Sequence, residues 1–228
     1  MDAIAAIDRE VAVASFGSED AIALGGWLGA TTGRSWASAA AFEDDATSGR
    51  IPADVHVAMY DPERWRHTPI EEQRTPLEAI ARFGRAAADH GYVRMITPHP
   101  GLVSVEGATF LRDAGETEES AYERSGITEA AASAADIVET QSQRLQNDPG
   151  AYRRLVSATA ARARAVNPGV RVLSGLGTSP GFPATPEMLT EAWASVRDVV
   201  DGHYLSLSKG RYPEVMTAFL AMALDRAT

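Results

Sequence analysis

The fold is decided by the stretch Val55-His56-Val57-Ala58-Met59-Tyr60-Asp61-Pro62-Glu63-Arg64-Trp65, in which an apolar run ends in two carboxylates. Such a run is typical of a strand buried in a parallel sheet that helices cover on both faces. In barrels of this class, the carboxyl ends of the strands supply the chemistry. Asp61 and Glu63 are therefore the first candidate site residues, although an Asp-Pro pair is also common in ordinary turns.

Strand-like and helix-like segments alternate along the rest of the chain. Further strands are predicted over residues 10–16, 92–97, 136–141, 170–174 and 202–207. The capping box Thr75-Pro76-Leu77-Glu78 opens a helix that ends near Gly91. Other helices are predicted within 119–135, from Asp148 to Asn167, from Thr185 to Val200 and from Pro213 onward.

Six strands that are each followed by a helix or a long loop predict a parallel sheet with right-handed crossovers. The predicted fold class is α/β, a TIM-like (β/α) barrel in a single domain over residues 1–228. Since only six strands are clear, the barrel is expected to be reduced or distorted, or to have a further short strand within 17–50. A dinucleotide-binding fold is disfavoured because Phe16-Gly17-Ser18-Glu19-Asp20 lacks its glycine motif, and Gly175-Leu176-Gly177 is predicted to be a flexible turn.

Polar residues accumulate where the predicted strands end, and a barrel gathers those ends onto one rim. They are Asp61, Glu63, His99, Glu139, Gln141, Ser174, Ser179, His203 and Tyr204. Of the three acidic residues, Glu63 lies between Tyr60 and Trp65, whose contact would raise its pKa towards that of a general acid. Asp61 is then the ionised electrostatic partner, and Glu139 is the second catalytic carboxylate from another strand.

The remaining candidates are expected to bind substrate. Tyr60, Trp65 and Tyr204 offer rings that stack on a sugar or an apolar ligand. Gln141 offers an amide, and His99, set between two prolines, offers a rigidly held donor or metal ligand. His203 either contacts substrate or is a satisfied interior histidine. Trp36 and Trp193 lie on helical patterns and are predicted to be packing residues.

Composition limits the classes of partner and compartment. The chain has 228 residues and a net charge of −10, without a basic stripe, which argues against nucleic acid as a partner. The absence of cysteine excludes disulfides and thiolate metal sites. No apolar stretch approaches the length of about 18 residues that a membrane span needs, and the first fifteen residues do not resemble a signal peptide. A cytoplasmic location is therefore expected, with no membrane partner and an undetermined oligomeric state.

The signature Tyr-Asp-x-Glu-x-Trp at residues 60–65, followed by Thr68-Pro69-Ile70-Glu71-Glu72-Gln73, resembles barrel proteins of the glycoside-hydrolase type. In those barrels an Asp-x-Glu pair at a strand end supplies the acid. The resemblance implies a glycoside-hydrolase-like enzyme with a carbohydrate or other small-molecule substrate and no cofactor. Such a pair usually follows the fourth strand in chitinase-like barrels, and here it follows the second predicted strand.

Two other functions fit the same residues. A lyase, isomerase or cyclase could use Asp61, Glu63, His99 and Glu139, with or without a divalent metal such as Mg²⁺ held by their oxygen and imidazole groups. A barrel without catalytic activity could bind a carbohydrate or another small ligand at the same rim. Convergence of Asp61, Glu63 and Glu139 on one pocket without a metal would favour acid/base catalysis.

Overall fold

The computed structural model describes residues 31–178, 184–206 and 213–227. The strands in these ranges are β1 (Gly33–Trp36), β2 (Val57–Tyr60), β3 (Val93–Ile96), β4 (Ile137–Thr140), β5 (Arg171–Gly177) and β6 (Gly202–Ser206). The α-helices are α1 (Ala39–Thr47), α2 (Ile70–Arg74), α3 (Pro76–Asp89), α4 (Glu118–Arg124), α5 (Ile127–Ala134), α6 (Pro149–Val166), α7 (Pro186–Val196) and α8 (Pro213–Ala227). Short 3₁₀ helices span Pro100–Ser104 and Gln143–Leu145. The strand predicted at 10–16 and the candidate Ser179 lie outside the described residues.

The strands follow one another across the sheet in the order β1-β2-β3-β4-β5-β6. The pairs β1–β2, β2–β3, β3–β4 and β5–β6 are parallel, with Trp36 opposite Tyr60 and Tyr60 opposite Ile96. Sequential parallel neighbours require crossover connections, which the intervening helices supply. This is the strand order of a (β/α) barrel, as the alternation of segments predicted. Five of the predicted strands are present, and β1 is the short strand expected within 17–50.

The chain divides into two compact units. The first unit contains the described residues 31–138 and 161–171. It has an aromatic core in which the ring centroids of Phe42 lie 4.9 Å from Trp36 and 4.8 Å from Phe83, and Tyr60 stacks on Phe83 at 5.3 Å. All four side chains are buried, so residues from β1, β2, α1 and α3 hold this unit together.

The second unit contains the described residues among 139–160 and 172–227. Its core packs helices α6, α7 and α8 against β5 and β6. The buried members are Tyr152, Val156, Leu176, Leu189, Ala192, Val196, Met216, Phe219, Leu220 and Ala223. The apolar face predicted for α6 is confirmed, since Tyr152, Leu155, Val156, Thr159 and Ala163 are all buried.

Three local predictions are wrong in detail. Trp36 is a buried residue of strand β1 and does not lie on a helix. Thr75 and Pro76 do open α3, but the Thr75 hydroxyl donates to the Glu71 carbonyl of the preceding helix and does not cap α3. Gly175-Leu176-Gly177 is not a turn, because β5 continues through Gly177.

Among the described residues, no helix is both long enough and apolar enough to cross a bilayer.

Candidate active site

Glu139 is a buried carboxylate of the second unit. It lies near the carboxyl end of β4 and is only 1% exposed. A Cβ atom added to Gly175 of β5 would lie closer than 3.0 Å to Glu139 Oε1. Glu139 therefore packs directly against the β5 backbone, at a distance that only glycine permits.

Gly175 and Gly177 of β5 lie on the same face of the strand as Glu139 and carry no side chains. We call these two residues the glycine strip. In the parallel register Gly175 lies opposite Tyr204 and Gly177 opposite Ser206. Residues opposite each other on neighbouring strands point to the same face of a sheet. Glu139 and Tyr204 therefore lie on one face, with the glycine strip between β4 and β6.

The opposite face of β5 and β6 is covered by helices. Ser174 and His203 lie on that face, where Ser174 Oγ and His203 Nδ1 are 2.8 Å apart. The His203 ring lies 6.3 Å from the ring of Trp193 in α7. Removal of water from the imidazole lowers the pKa of His203 to about 4. His203 therefore lies opposite to the Glu139 face, and its binding of substrate stays a prediction.

Two hydroxyl groups form hydrogen bonds with the backbone of the glycine strip. Tyr152 of α6 donates to the Gly175 carbonyl at 2.9 Å, and Ser142 Oγ lies 3.2 Å from the same oxygen. Burial raises the pKa of the Tyr152 phenol to about 12; hydrogen bonds to Ser142 and Ser174 oppose the rise, and the Glu139 charge adds to it.

Gln143 packs beside Glu139, and the sequence did not single it out. Its amide carbon and Nε2 lie 2.6 Å from the position of a Cβ on Gly175, and its Cγ lies 3.4 Å from that position on Gly177. The side chain is half-buried and runs along the glycine strip to Glu139. The signal available in the sequence was the pair of alternate glycines at the end of β5, which allows other side chains to approach the strand closely. Gln141, which is predicted to bind substrate, is half-buried and lies one residue beyond β4.

Asp61 follows β2 in the first unit, where the sequence predicts it. Its backbone N–H donates to the Trp36 carbonyl at 2.9 Å, and its Oδ1 accepts a 2.8 Å hydrogen bond from Thr97 Oγ1. Thr97 follows β3 and is buried, with its own N–H donating to the Tyr60 carbonyl. The ends of β2 and β3 thus hold a half-buried carboxylate in a defined orientation.

The loop after Asp61 is braced by Thr68 and Gln73. Thr68 Oγ1 accepts hydrogen bonds from the Glu63 N–H at 3.2 Å and from Trp65 Nε1 at 2.9 Å. Gln73 Nε2 donates to the carbonyls of Trp65 and Thr68, each at 2.7 Å. The segment 68–73 of the sequence signature is therefore the support of this loop. Glu63 is half-buried, and Trp65 is 40% exposed.

Tyr60 and Glu72 form a buried brace in the same unit. The Glu72 carboxylate accepts hydrogen bonds from Tyr60 Oη at 2.9 Å, from Ser38 Oγ at 2.9 Å, and from the N–H groups of Ala39 and Ala40. It therefore satisfies the amino end of α1. Burial and the charges of Glu72 and Asp61 raise the pKa of the Tyr60 phenol. Tyr60 is fully buried, so its expected contact with a ligand stays a prediction.

His99 is fixed beside the same loop. Its backbone N–H donates to the Pro62 carbonyl at 3.1 Å, and its Nδ1 accepts from the Gly101 N–H at 2.8 Å. The neutral ring therefore has its proton on Nε2. This arrangement suits the donor role predicted for His99.

The described residues contain no group of three or more His, Asp or Glu side chains arranged to hold a metal ion. The expectation of an enzyme without a cofactor, and its alternative with a divalent metal, both stay predictions. The convergence of Asp61 and Glu63 with Glu139 also stays a prediction.

Comparison with solved structures shows the fold. The chain is similar to a protein assigned as an alpha-L-fucosidase from Bacteroides thetaiotaomicron, with 11% identity, a TM-score of 0.57, and coverage of 91% of this chain and 71% of that one. It is similar to a GH18 chitinase from Pseudoalteromonas aurantia, with 9% identity, a TM-score of 0.55, and coverage of 92% and 80%. A chitinase from Chromobacterium violaceum gives 14% identity, a TM-score of 0.52, and coverage of 92% and 84%.

Comparisons with protein-family models and with curated protein sequences found no match. The likeness to solved structures confirms the predicted TIM-like (β/α) class and the resemblance to glycoside-hydrolase-type barrels at the level of the fold. At these identities it does not extend to activity.

Proposed function

We propose that this chain is a barrel enzyme of the glycoside-hydrolase type in which Glu139 is the general acid/base. The observation that carries the proposal is the buried Glu139 carboxylate beside the glycine strip, on the face it shares with Tyr204. Functional residues of (β/α) barrels lie at the carboxyl ends of the strands, and Glu139 occupies such a position. The fold that this chain shares with a fucosidase and two chitinases is compatible with that chemistry.

The environment of Glu139 suits proton transfer to a glycosidic oxygen. Burial disfavours the charged form of a carboxyl group, and a general acid must hold its proton until the leaving group needs it. Glu139 Oε1 and the Gln143 amide lie over Gly175, which projects no side chain of its own. Tyr204 adds an aromatic ring on the same face, which can pack against the apolar side of a sugar.

Asp61 and Glu63 are kept as catalytic candidates within the first unit. The hydrogen bond from Thr97 fixes the orientation of the Asp61 carboxylate, which in this proposal stabilises a cationic transition state. Glu63 lies on a braced loop beside the exposed Trp65 ring, an arrangement that suits contact with a carbohydrate. Each role is testable by its own isosteric substitution, Asp61→Asn or Glu63→Gln.

The experiment is an assay of aryl glycosides and oligosaccharides. The first substrates are aryl α-L-fucosides, aryl N-acetyl-β-D-glucosaminides and chito-oligosaccharides, chosen because the structural neighbours are named as a fucosidase and chitinases. We expect at least one to be hydrolysed, with turnover reduced by about 10²- to 10⁴-fold in Glu139→Gln. The matched control is Glu191→Gln, an exposed glutamate of α7 in the same unit, which should keep the parent rate.

Two results would count against this function. A parent protein that hydrolyses no glycoside in a broadened panel, yet binds sugars, is a carbohydrate-binding barrel. Hydrolysis that is lost on addition of a chelator and restored by Mg²⁺ would indicate the metal-dependent alternative.

A further inference from the structure

We infer that Arg64, Trp65, Arg66 and Arg74 of the first unit form a surface that binds an acidic glycan, a sugar chain that carries carboxylate or sulfate groups. We call these four residues the arginine surface. The inference rests on the proposed function only for the choice of a carbohydrate as the ligand. It adds three cationic residues and specifies an anionic polymer as the class of substrate.

Two of the arginines are fixed on one neighbouring loop. Arg64 Nη1 donates to the Ser104 carbonyl at 3.3 Å, and Arg74 Nε donates to the Glu106 carbonyl at 3.1 Å. These carbonyls belong to residues two positions apart, so the two nitrogens lie within about 14 Å of each other. A guanidinium group has five N–H donors, and each of these two uses one of them on the loop. The remaining donors can bind an anion.

Trp65 adds an aromatic ring beside these cations. It is 40% exposed, and its Nε1–H donates to Thr68 Oγ1 at 2.9 Å. The edge of the His67 ring packs against it with the centroids 4.8 Å apart, and His67 Nε2 accepts from Arg66 Nε at 3.3 Å. The Trp65 carbonyl accepts from Gln73, the residue next to Arg74. The indole is therefore held in place while much of it faces solvent, which suits stacking on a sugar ring.

The three arginines have no carboxylate partner within the described part of the chain. Acidic residues are not scarce, because the chain has 31 Asp and Glu against 21 Lys and Arg. Other arginines of the first unit do form ion pairs with acidic side chains, and these are Arg34, Arg50, Arg82, Arg94, Arg124 and Arg162. The cations of the arginine surface are therefore available to an anionic ligand.

The glutamates near these arginines do not pair with them. Glu72 is buried, and its carboxylate accepts hydrogen bonds at the start of α1. Glu71 and Glu106 are exposed, and among the described residues neither forms an ion pair with the arginine surface. The sequence shows no basic stripe because arginines and glutamates alternate there, whereas the structure separates their side-chain contacts.

The combination of cations with a ring selects the partner. Exposed groups on two adjacent loops suit a polymer that lies across them. The net charge of −10 disfavours nucleic acid, which has a high density of negative charge. An acidic glycan offers both an anionic group for a guanidinium and a sugar face for the indole.

The test measures binding and needs no turnover. Polygalacturonate supplies carboxylates, dextran sulfate supplies sulfates, and dextran is the matched neutral polymer. Each is titrated into the parent at low ionic strength, with binding followed by calorimetry. We expect at least one acidic glycan to bind and dextran not to bind. The double variant Arg64→Gln/Arg74→Gln should weaken binding by about 5- to 30-fold, the value of two exposed ion pairs. Trp65→Ala should weaken it by about 3- to 10-fold.

Arg85→Gln is the matched control. It removes the same charge from an exposed arginine of α3 in the same unit, and it should bind like the parent. Added salt should weaken binding to the parent more than binding to the double variant, since it screens the charges that the double variant lacks. Thermal unfolding checks that all variants are folded.

The inference is overturned if the parent binds neither acidic glycan, if dextran binds equally well, or if the double variant binds as tightly as the parent. Equal affinity for single-stranded DNA or for phosphatidylserine vesicles would also overturn it, because general attraction between charges would then explain the binding. Glycan binding that depends on Arg64 and Arg74, in a protein that hydrolyses no glycoside, would support the arginine surface while refuting the proposed hydrolase. Hydrolysis of a neutral glycoside without binding of either acidic glycan would refute only the arginine surface.

Discussion

Two buried glutamates of this protein have different surroundings. Glu72, in the first unit, accepts four hydrogen bonds from Ser38, Ala39, Ala40 and Tyr60, and holds the start of α1 in place. Glu139, in the second unit, lies against a strip of β5 that has no side chains. The Glu72 carboxylate is enclosed by donors that start a helix, so its role is structural, whereas Glu139 lies near the carboxyl end of a strand, where barrels place their functional residues. Burial alone therefore does not identify a catalytic carboxylate.

The largest effect on stability is expected at Glu72. Glu72→Ala leaves two backbone N–H groups and two hydroxyls without their acceptor, so the free energy of unfolding should fall by about 3 to 5 kcal/mol. Denaturant unfolding of the variant measures this loss. The adjacent Glu71→Ala, at an exposed position, should change stability by less than about 0.5 kcal/mol. Equal effects at the two positions would show that Glu72 is not the brace.

The glycine strip should resist even one added methyl group. Gly175→Ala forces the added Cβ against Glu139 and Gln143, and overpacking of this kind costs about 1 to 3 kcal/mol. Thermal unfolding measures the loss. Gly169→Ala is the control, because its added Cβ would meet only Asn167 Oδ1 at 3.6 Å. A Gly175→Ala variant as stable as the parent would mean that Glu139 does not pack against β5.

Features that depend on neighbouring residues could be predicted from the sequence, whereas contacts between residues far apart in the sequence could not. The strand at residues 55–60 and the apolar face of α6 follow from local patterns and are confirmed. The short strand β1 has the sequence Gly-Arg-Ser-Trp, which contains no apolar run to signal it. Gly175 resembled a turn because glycine pairs usually signal turns, and its contact with Glu139 joins residues distant in sequence. Asp61 at the end of β2 was predicted, but its hydrogen bond to Thr97 was not.

His203, on the helix-covered face of β5 and β6, should make the stability of the protein depend on pH. The pKa of His203 is about 4 in the folded protein against an ordinary 6.5, so between these values the unfolded chain binds a proton that the folded protein does not. Stability from this residue is therefore complete above pH 6.5 and falls as pH decreases towards 4. We expect a loss of about 2 to 3 kcal/mol at pH 4, since one pKa unit corresponds to about 1.4 kcal/mol.

Unfolding midpoints measured from pH 7 to pH 4 test this effect. His203→Asn, which keeps a polar group near Ser174, should lose this part of the pH dependence. The pKa values of Glu116 and Asp198 are about 2 because of their arginine partners, so these groups titrate mainly below that range. If the pH dependence is the same in His203→Asn as in the parent, the His203 imidazole is exposed to solvent and its pKa is not lowered by burial.

The smallest effects are expected at two threonines that precede helices. Thr185 Oγ1 accepts from the Met188 N–H and caps α7, so Thr185→Ala should lower stability by about 1 kcal/mol. Thr75 precedes α3 in the same pattern, but its hydroxyl donates elsewhere on an exposed surface, so Thr75→Ala should cost less than about 0.5 kcal/mol. Thermal unfolding should show a larger loss of stability for Thr185→Ala than for Thr75→Ala. The reverse order would indicate that Thr75 does cap α3.

The most direct test of the central claim is the leaving-group dependence of Glu139→Gln. A general acid matters for a poor leaving group that must be protonated, and hardly matters for an activated one that leaves unaided. With the best aryl glycoside scaffold, we predict that Glu139→Gln loses about 10²- to 10⁴-fold in kcat/KM for the phenyl or alkyl glycoside. It should keep most of the rate with the dinitrophenyl glycoside. An equal loss for both leaving groups, or no loss for either, would contradict the assignment of Glu139 as the acid.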